Sequence, residues 1–134
     1  MLKAQNIGRV VICAGYLAEH IEAFVGDGSV FGLQVTVLRD GDKLLGTGGA
    51  LRRALPLLGD MFFVTYGDAY LMADYSAVYD AFRKSGQPAL MAVFHNQNSW
   101  DKSNARFDGQ RVTYNKLKPD ADMHYIDWGL MPIS

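Results

Sequence analysis

Short apolar runs alternate with segments of helical periodicity along the first part of the chain. RVVICA, at Arg9–Ala14, is rich in β-branched residues and predicts a buried strand. Apolar residues then recur every three or four positions over Leu17–Val25, which predicts a helix with one buried face. The alternating run LQVTVL, at Leu33–Leu38, predicts a second strand. A second helix is expected at about 48–58, where Pro56 should distort or shorten it.

The later part of the chain continues this alternation and ends in β structure. MFFVTY, at Met61–Tyr66, is the most strand-like segment. The helix after it is expected to begin at an N-cap, Asp74, and to close at Gly86. The remaining predicted elements are a strand at Ala89–Phe94, a hairpin with its turn at Asp108-Gly109, and a strand at His124–Leu130.

Strands that alternate with helices indicate an α/β protein with a mostly parallel sheet flanked by helices. The length of 134 residues suits one domain, and 49% hydrophobic with 20% charged residues is ordinary globular composition. In parallel α/β sheets, ligands bind at the carboxyl ends of the strands. The segments that follow the second and third predicted strands are therefore the first places to look for a site.

Charge and cysteine content exclude several classes of function. The net charge of −1 provides no basic surface for nucleic acid, and no apolar run approaches the roughly 20 residues of a membrane span. The start of the chain does not have the pattern of a signal peptide. Cys13 lies in an apolar run, so we expect a buried, inert thiol and a reducing, cytoplasmic location. The three histidines are scattered without metal-ligand spacing.

A glycine-rich stretch, LLGTGGALRRAL at Leu44–Leu55, leads directly into the second predicted helix. Glycines at the start of a helix allow a phosphate or another electron-rich group to approach bare backbone N–H groups. The alternative is a tight strand-to-helix turn without a ligand. The stretch alone leaves both alternatives open, because short glycine-rich loops are weak motifs.

Asp68 follows the strand-like run MFFVTY and a glycine, so it should lie at the end of that strand. A carboxylate there could hold Mg²⁺ whose other ligands are phosphate oxygens and water, or it could cap the following turn. Tyr66 and Tyr70 flank the same corner and could stack on a base or a sugar, or be half-buried aromatics. Lys116 and Lys118 are candidates for contacting a phosphate, although a surface lysine is usually only solvated.

These pieces, in this order, resemble the sugar-phosphate nucleotidyltransferases, the enzymes that make nucleoside-diphosphate sugars. The resemblance extends from Ile7 to Ile133. It rests on the combination of LGTGGAL with a GD strand end about 20 residues later, rather than on any single motif. The stretches that carry it are VVICAGYLAEHIEAFVGDGSVFGLQVTV, LLGTGGALRRALPLLGDMFFVTYGDAYL, VTYNKLKP and YIDWGL.

The resemblance implies a Rossmann-like fold of the nucleotide-diphospho-sugar transferase type. It also implies a reaction in which a sugar 1-phosphate attacks the α-phosphorus of a nucleoside triphosphate with Mg²⁺ assisting. The residues matched by position are the nucleotide-binding Gly46, Thr47, Gly48, Gly49 and Gly67, the metal ligand Asp68, the phosphate-contacting Lys116 or Lys118, and the sugar-binding Asp127 and Gly129.

The chain also departs from the family pattern. Its 134 residues contain neither the family's first strand nor the glycine-rich loop with arginine and lysine that wraps the triphosphate, and they end before a second metal-binding aspartate. We therefore expect one partial domain, 1–134. In the Glu-Lys-Pro motif, Leu117 or Asn115 stands where the family has glutamate, and Ala69 stands where members often have a polar residue.

Two expectations follow from these departures. The polypeptide alone should be a very poor catalyst, because a cradle for about four negative charges is missing. The missing strand would lie between RVVICA and MFFVTY, so either these strands pair directly or another chain fills the gap. Exposed strand edges favour a homodimer or a larger assembly. The competing functions are a nucleotidyltransferase, a binding module without chemistry, and an oligomeric remnant without a ligand.

Overall fold

The computed structural model describes all residues, 1–134, which form two compact units, 1–60 and 61–134. The expectation of a single partial domain stays a prediction. The elements of the first unit are β1 (Arg9–Ala14), α1 (Ala18–Val25), β2 (Gln34–Arg39) and α2 (Gly46–Ala54). β1 and β2 pair in parallel, from Arg9 opposite Gln34 to Ala14 opposite Arg39. This β1–α1–β2 unit is the one predicted from the hydrophobic pattern.

The first unit has a thin core. Its fully buried apolar residues are three alanines, Ala14, Ala18 and Ala54. The large side chains of β1 are only half-buried, although a parallel strand is normally covered on both faces. β1 has β2 as its single strand partner, so one edge of β1 carries no strand.

The second unit is richer in antiparallel β structure. Its elements are β3 (Phe62–Thr65), α3 (Tyr75–Ser85), β4 (Val93–His95), β5 (Ala105–Phe107), β6 (Val112–Tyr114), β7 (Tyr125–Asp127) and β8 (Leu130–Ile133). β3 pairs with β8, and the other strands form a sheet in the order β4-β7-β5-β6. Large buried side chains here include Leu71, Phe82, Met123 and Leu130, so this unit holds the main apolar core.

Local sequence signals set the limits of several elements as predicted. The Asp74 carboxylate accepts a hydrogen bond from the Ala77 N–H at 3.0 Å and caps α3, and Gly86 closes that helix with a φ of 62°. The hairpin turn also forms, with Gly109 at a φ of 100°. Pro56 lies in the 3₁₀ turn Leu55–Leu57 that ends α2, so the expected distortion is present.

The strand pairing differs from the expected mostly parallel sheet, since β1 and β2 form the single parallel pair and all other pairs are antiparallel. The predicted strand His124–Leu130 is divided into β7 and β8, because Gly129 adopts a φ of 78° and interrupts the extended run. α2 begins at Gly46, two residues earlier than expected. β3 has β8 as its single partner, so direct pairing with β1, one of the two alternatives for the missing strand, is not seen.

The prediction that Cys13 is buried is wrong, because the residue is exposed. Its thiol donates a weak hydrogen bond to the Ala50 carbonyl at 3.5 Å. Partial burial of the thiol, and then the charge of Asp40, raise its pKa, which disfavours the reactive thiolate. The raised pKa thus disfavours reaction of the thiol, although the residue as a whole is exposed.

Candidate functional site

The carboxyl ends of β1 and β2 bring Gly15 and Asp40 to one edge of the parallel pair. The Asp40 N–H donates to the carbonyl of Ala14 at 2.9 Å, which continues the ladder. A Cβ on Gly15 would lie 3.3 Å from Oδ2 of Asp40 and 2.6 Å from Cδ2 of Leu44, so a side chain there would require the exposed Leu44 side chain to shift. This edge is the place where a parallel α/β unit binds its ligands.

Asp40 also fixes the start of α2 at this edge. Its Oδ2 accepts the N–H of Leu45 at 3.0 Å, and its carbonyl accepts a hydrogen bond from Arg53 at 3.1 Å. Leu45 is the residue before the first helical position, Gly46. Sequence reasoning missed Asp40. The available signal was an aspartate-glycine pair directly after a predicted strand, a common turn composition.

The predicted nucleotide-binding glycines form the first turn of α2. Gly46 has a φ of 66°, a conformation that favours glycine, and no side chain caps the helix. A Cβ on Gly46 or on Gly48 would meet nothing within 4 Å, whereas one on Gly49 would lie 3.0 Å from Cβ of Leu45. Gly46, Thr47 and Gly48 are exposed, so the N–H groups of this turn are accessible to an acceptor on a ligand.

Gly67 and Asp68 form the centre of a turn directly after β3. The turn is closed by a hydrogen bond from the Ala69 N–H to the carbonyl of Tyr66 at 3.2 Å. Asp68 is exposed, and its carboxylate makes no hydrogen bond or ion pair with the protein. The alternative that it caps its own turn is therefore not realised, and both oxygens are available to a cation.

Asp127 and Gly129, the predicted sugar-binding residues, form a second turn close to the first. The Gly129 N–H donates to Oδ1 of Asp127 at 2.8 Å. A Cβ on Gly129 would lie 3.2 Å from Cδ2 of Tyr66 and 3.7 Å from Cβ of Ala69. The second unit thus brings Gly129 and Asp127 together with the turn that carries Asp68.

Tyr66 stands in an electronegative environment. Partial burial raises the pKa of its phenol, and the nearby Asp127 and Tyr114 raise this pKa further. The phenol therefore stays protonated at neutral pH and can donate a hydrogen bond. Tyr114 was not singled out by the sequence, because its approach to Tyr66 depends on the non-local order of the strands.

The two candidate lysines lie in the exposed segment after β6. The N–H of Lys118 donates to Oδ1 of Asn115 at 3.0 Å, which shapes the turn. Lys116 and Lys118 are exposed, and neither is ion-paired. Neither is held against another predicted site residue by a hydrogen bond, so their assignment to a phosphate stays a prediction.

No group of three or more histidine, cysteine, aspartate or glutamate side chains in residues 1–134 could hold a metal ion by itself. A Mg²⁺ site with one or two protein carboxylates and phosphate oxygens as further ligands does not need such a group. Asp68, exposed and without a protein partner, fits that kind of site. No helix has the length and hydropathy of a membrane span.

The chain is similar in sequence to two nucleotidyltransferases. It is 30% identical over 102 residues to the UTP–glucose-1-phosphate uridylyltransferase of Synechocystis sp., a match that spans 68% of this chain and 26% of that protein. It is 34% identical over 79 residues to the N-acetylmuramate alpha-1-phosphate uridylyltransferase of Neisseria meningitidis serogroup B, spanning 58% of this chain and 34% of that protein. No family model matches the chain.

The fold is shared with solved nucleotidyltransferase structures. A candidate glucose-1-phosphate thymidylyltransferase from Bacillus anthracis, in complex with sucrose, superposes with a TM-score of 0.80 at 20% identity, over 99% of this chain and 55% of that one. The chain is thus a relative of the sugar-1-phosphate nucleotidyltransferases, and it has an incomplete form of their α/β fold. It spans about a quarter to a third of the length of the curated relatives it matches.

Proposed function

We propose that the chain binds a nucleoside triphosphate and a sugar 1-phosphate and supports nucleotidyl transfer between them. The observation that carries the proposal is the free carboxylate of Asp68, which lies on the turn after β3 beside Tyr66 and Gly129. Both curated relatives are named as uridylyltransferases of sugar 1-phosphates. UTP is therefore the first nucleotide to test, with the base left to the experiment.

In the proposed reaction, an oxygen of the sugar phosphate forms a bond to the α-phosphorus of the nucleotide. The bond from that phosphorus to the β-phosphate oxygen breaks, and pyrophosphate leaves with the electron pair. The protein contributes mainly position and charge. The exposed N–H groups of Gly46, Thr47 and Gly48, with Gly49, would hold the nucleoside. The contact of Gly67 with the nucleotide stays a prediction.

Asp68 is the residue that we propose to hold Mg²⁺, which when bound would neutralise phosphate charge. Lys116 or Lys118 would contact the sugar phosphate, and Asp127 with Gly129 would line the sugar pocket. The structure supports the sugar assignment through the hydrogen bond that orients Asp127, which leaves its second carboxylate oxygen for a ligand.

We expect transfer by residues 1–134 alone to be slow. The triphosphate carries about four negative charges, and its stabilisation requires several aimed N–H, arginine or lysine donors. The first turn of α2 and a cation that Asp68 would hold are what we propose for that task. This shortage specifically favours the second candidate function, a module that binds nucleotide or nucleotide sugar without turnover.

A pyrophosphate-release assay separates these functions. The purified chain is incubated with Mg²⁺, glucose 1-phosphate and each of five nucleoside triphosphates, with Asp68→Asn as the matched control. Slow, Mg²⁺-dependent release that Asp68→Asn abolishes is the expected result. Nucleotide binding without release would establish the binding module, and the absence of both would refute the proposal.

We also propose that the chain self-associates, as a homodimer or a larger assembly. The unpaired edge of β1 and an apolar surface that includes Phe24 and Phe31, whose rings lie 5.8 Å apart, leave the first unit poorly covered. Sedimentation should give a mass of at least twice the 14.8 kDa of one chain. A sharp monomer mass from a well-ordered protein would contradict this.

For location we propose the cytoplasm, where a single unpaired cysteine remains reduced. The near-neutral net charge of −1 gives no reason to expect a nucleic-acid partner. Detection of the protein in a cell fraction other than the cytoplasm would refute the location.

A further inference from the structure

Tyr66 lies opposite Gly129 at the open end of the β3–β8 ladder. Thr65 pairs with Leu130, so Tyr66 and Gly129 occupy the next position of the same register. The tyrosine ring packs so closely on the Gly129 backbone that a Cβ there would lie 3.2 Å from Cδ2. The ring is thus supported on one side by backbone, while 43% of the residue remains exposed.

Three oxygen-bearing groups have capacity for further hydrogen bonds: the phenol of Tyr66 itself, the phenol of Tyr114 and the carboxylate of Asp127. The phenol of Tyr66 makes no hydrogen bond within the protein, and neither does the phenol of Tyr114, which is 41% exposed. Oδ1 of Asp127 accepts the Gly129 N–H, and its other oxygen has no protein partner. The shifted pKa of Tyr66 places both Asp127 and Tyr114 within its electrostatic reach.

Two phenols, a carboxylate oxygen and an exposed aromatic ring are groups that can bind the hydroxyls and C–H groups of a pyranose ring. A carboxylate oxygen accepts hydrogen bonds from sugar hydroxyls, and a phenol can donate to one hydroxyl while it accepts from another. An exposed aromatic ring offers an apolar surface to sugar C–H groups, with a polar tip at its rim. Simple stacking on a nucleobase would not need the carboxylate.

We propose that Tyr66 is a specificity-determining residue for the sugar, whose hydroxyl binds a hydroxyl of a hexose 1-phosphate beside Asp127. This inference rests on the proposed function and assigns to Tyr66 a contact with the sugar rather than with the base. The backbone of Gly129 positions the ring, so the identity of residue 129 controls the contact without touching the ligand through a side chain.

The test measures binding of hexose 1-phosphates to the full chain by calorimetry, in the presence of Mg²⁺ and the nucleotide that binds. The variants are Tyr66→Phe, which removes one oxygen, and Tyr79→Phe, its matched control at an exposed tyrosine on α3. Tyr66→Phe should weaken binding of glucose 1-phosphate about five- to tenfold, as expected for one lost hydrogen bond. Nucleotide affinity should not change.

A series of monodeoxy glucose 1-phosphates identifies the contact. The analogue that lacks the partner hydroxyl should bind wild type and Tyr66→Phe equally, while the other analogues keep the difference. Equal binding of glucose 1-phosphate by both proteins would overturn the role of Tyr66 and leave the proposed function intact. Failure of wild type to bind any hexose 1-phosphate would overturn both the role of Tyr66 and the sugar half of the proposed function.

Discussion

Replacement of Gly48 by alanine should raise stability and lower nucleotide affinity at the same time. Gly48 lies in the first turn of α2, and a Cβ there would meet nothing within 4 Å. Glycine in a helix is less stable than alanine by about 0.5–1 kcal/mol, because its unfolded chain has more conformational freedom. The unfolding temperature should therefore rise by about 2–5 °C.

The same methyl group would occupy the open space that we assign to the nucleoside. We expect at least a tenfold loss of nucleotide affinity, equivalent to about 1.4 kcal/mol. Thermal unfolding by circular dichroism measures the first effect, and calorimetric titration measures the second.

Gly8→Ala is the matched control for this experiment. A Cβ on Gly8 also meets nothing within 4 Å, and Gly8 lies before β1, at the opposite end of that strand from α2. It should leave nucleotide affinity unchanged. If Gly48→Ala bound nucleotide as wild type does, the glycines would serve only the strand-to-helix turn, and the assignment of α2 to the nucleotide would be refuted.

Three further predictions follow from individual contacts. Asp68→Asn should remove the Mg²⁺ dependence of nucleotide binding without changing the unfolding temperature, because the carboxylate contacts no protein group; unchanged Mg²⁺ dependence would contradict the metal role. Asp74→Ala removes the acceptor of the Ala77 N–H and should lower the free energy of unfolding in urea by about 1 kcal/mol, and an unchanged midpoint would refute the cap. The hydrogen bond from Arg39 lowers the pKa of Glu22 below its usual 4.5. This exposed pair therefore stabilises the folded protein at pH values above 4.5, and the stabilisation is lost as the pH falls through the lowered pKa of Glu22 in the folded state. Unfolding temperatures from pH 6 to pH 3 should fall less steeply in Arg39→Gln than in wild type, and identical pH profiles would contradict this.

Features set by local chemistry could be predicted from the sequence. The cap at Asp74, the closure at Gly86 and the turn at Gly109 each depend on a few adjacent residues. The 3₁₀ turn at Pro56 follows from the missing N–H and fixed φ of proline.

Pairing between distant segments could not be predicted in the same way. The segment His124–Leu130 was predicted as one strand, and the φ of 78° at Gly129 divides it between β7 and β8. The antiparallel partner of β3 is β8, more than 60 residues later, so no local signal could assign it. The exposure of Cys13 likewise depends on which segments pack against β1, and the hydrophobic pattern of the sequence does not specify those segments.

In the candidate site, too, some residues could be found from the sequence, and others depend on contacts between distant segments. Resemblance matched Asp68, Asp127 and Gly129 by position, and the structure brings the Asp127–Gly129 turn beside the one that carries Asp68. Tyr114 was missed because it reaches Tyr66 through tertiary structure alone. The glycine-rich stretch left two alternatives, and the open space at Gly48 is compatible with a ligand but does not decide between them.

Whether the chain binds a nucleotide is measured by calorimetric titration of the purified protein with UTP, GTP, dTTP, CTP and ATP, each with Mg²⁺. We predict binding of one nucleotide, weakened when the metal is chelated, because Asp68 and the first turn of α2 remain accessible. The absence of binding to all five would contradict the account. The chain would then have the fold of its relatives without their ligand chemistry.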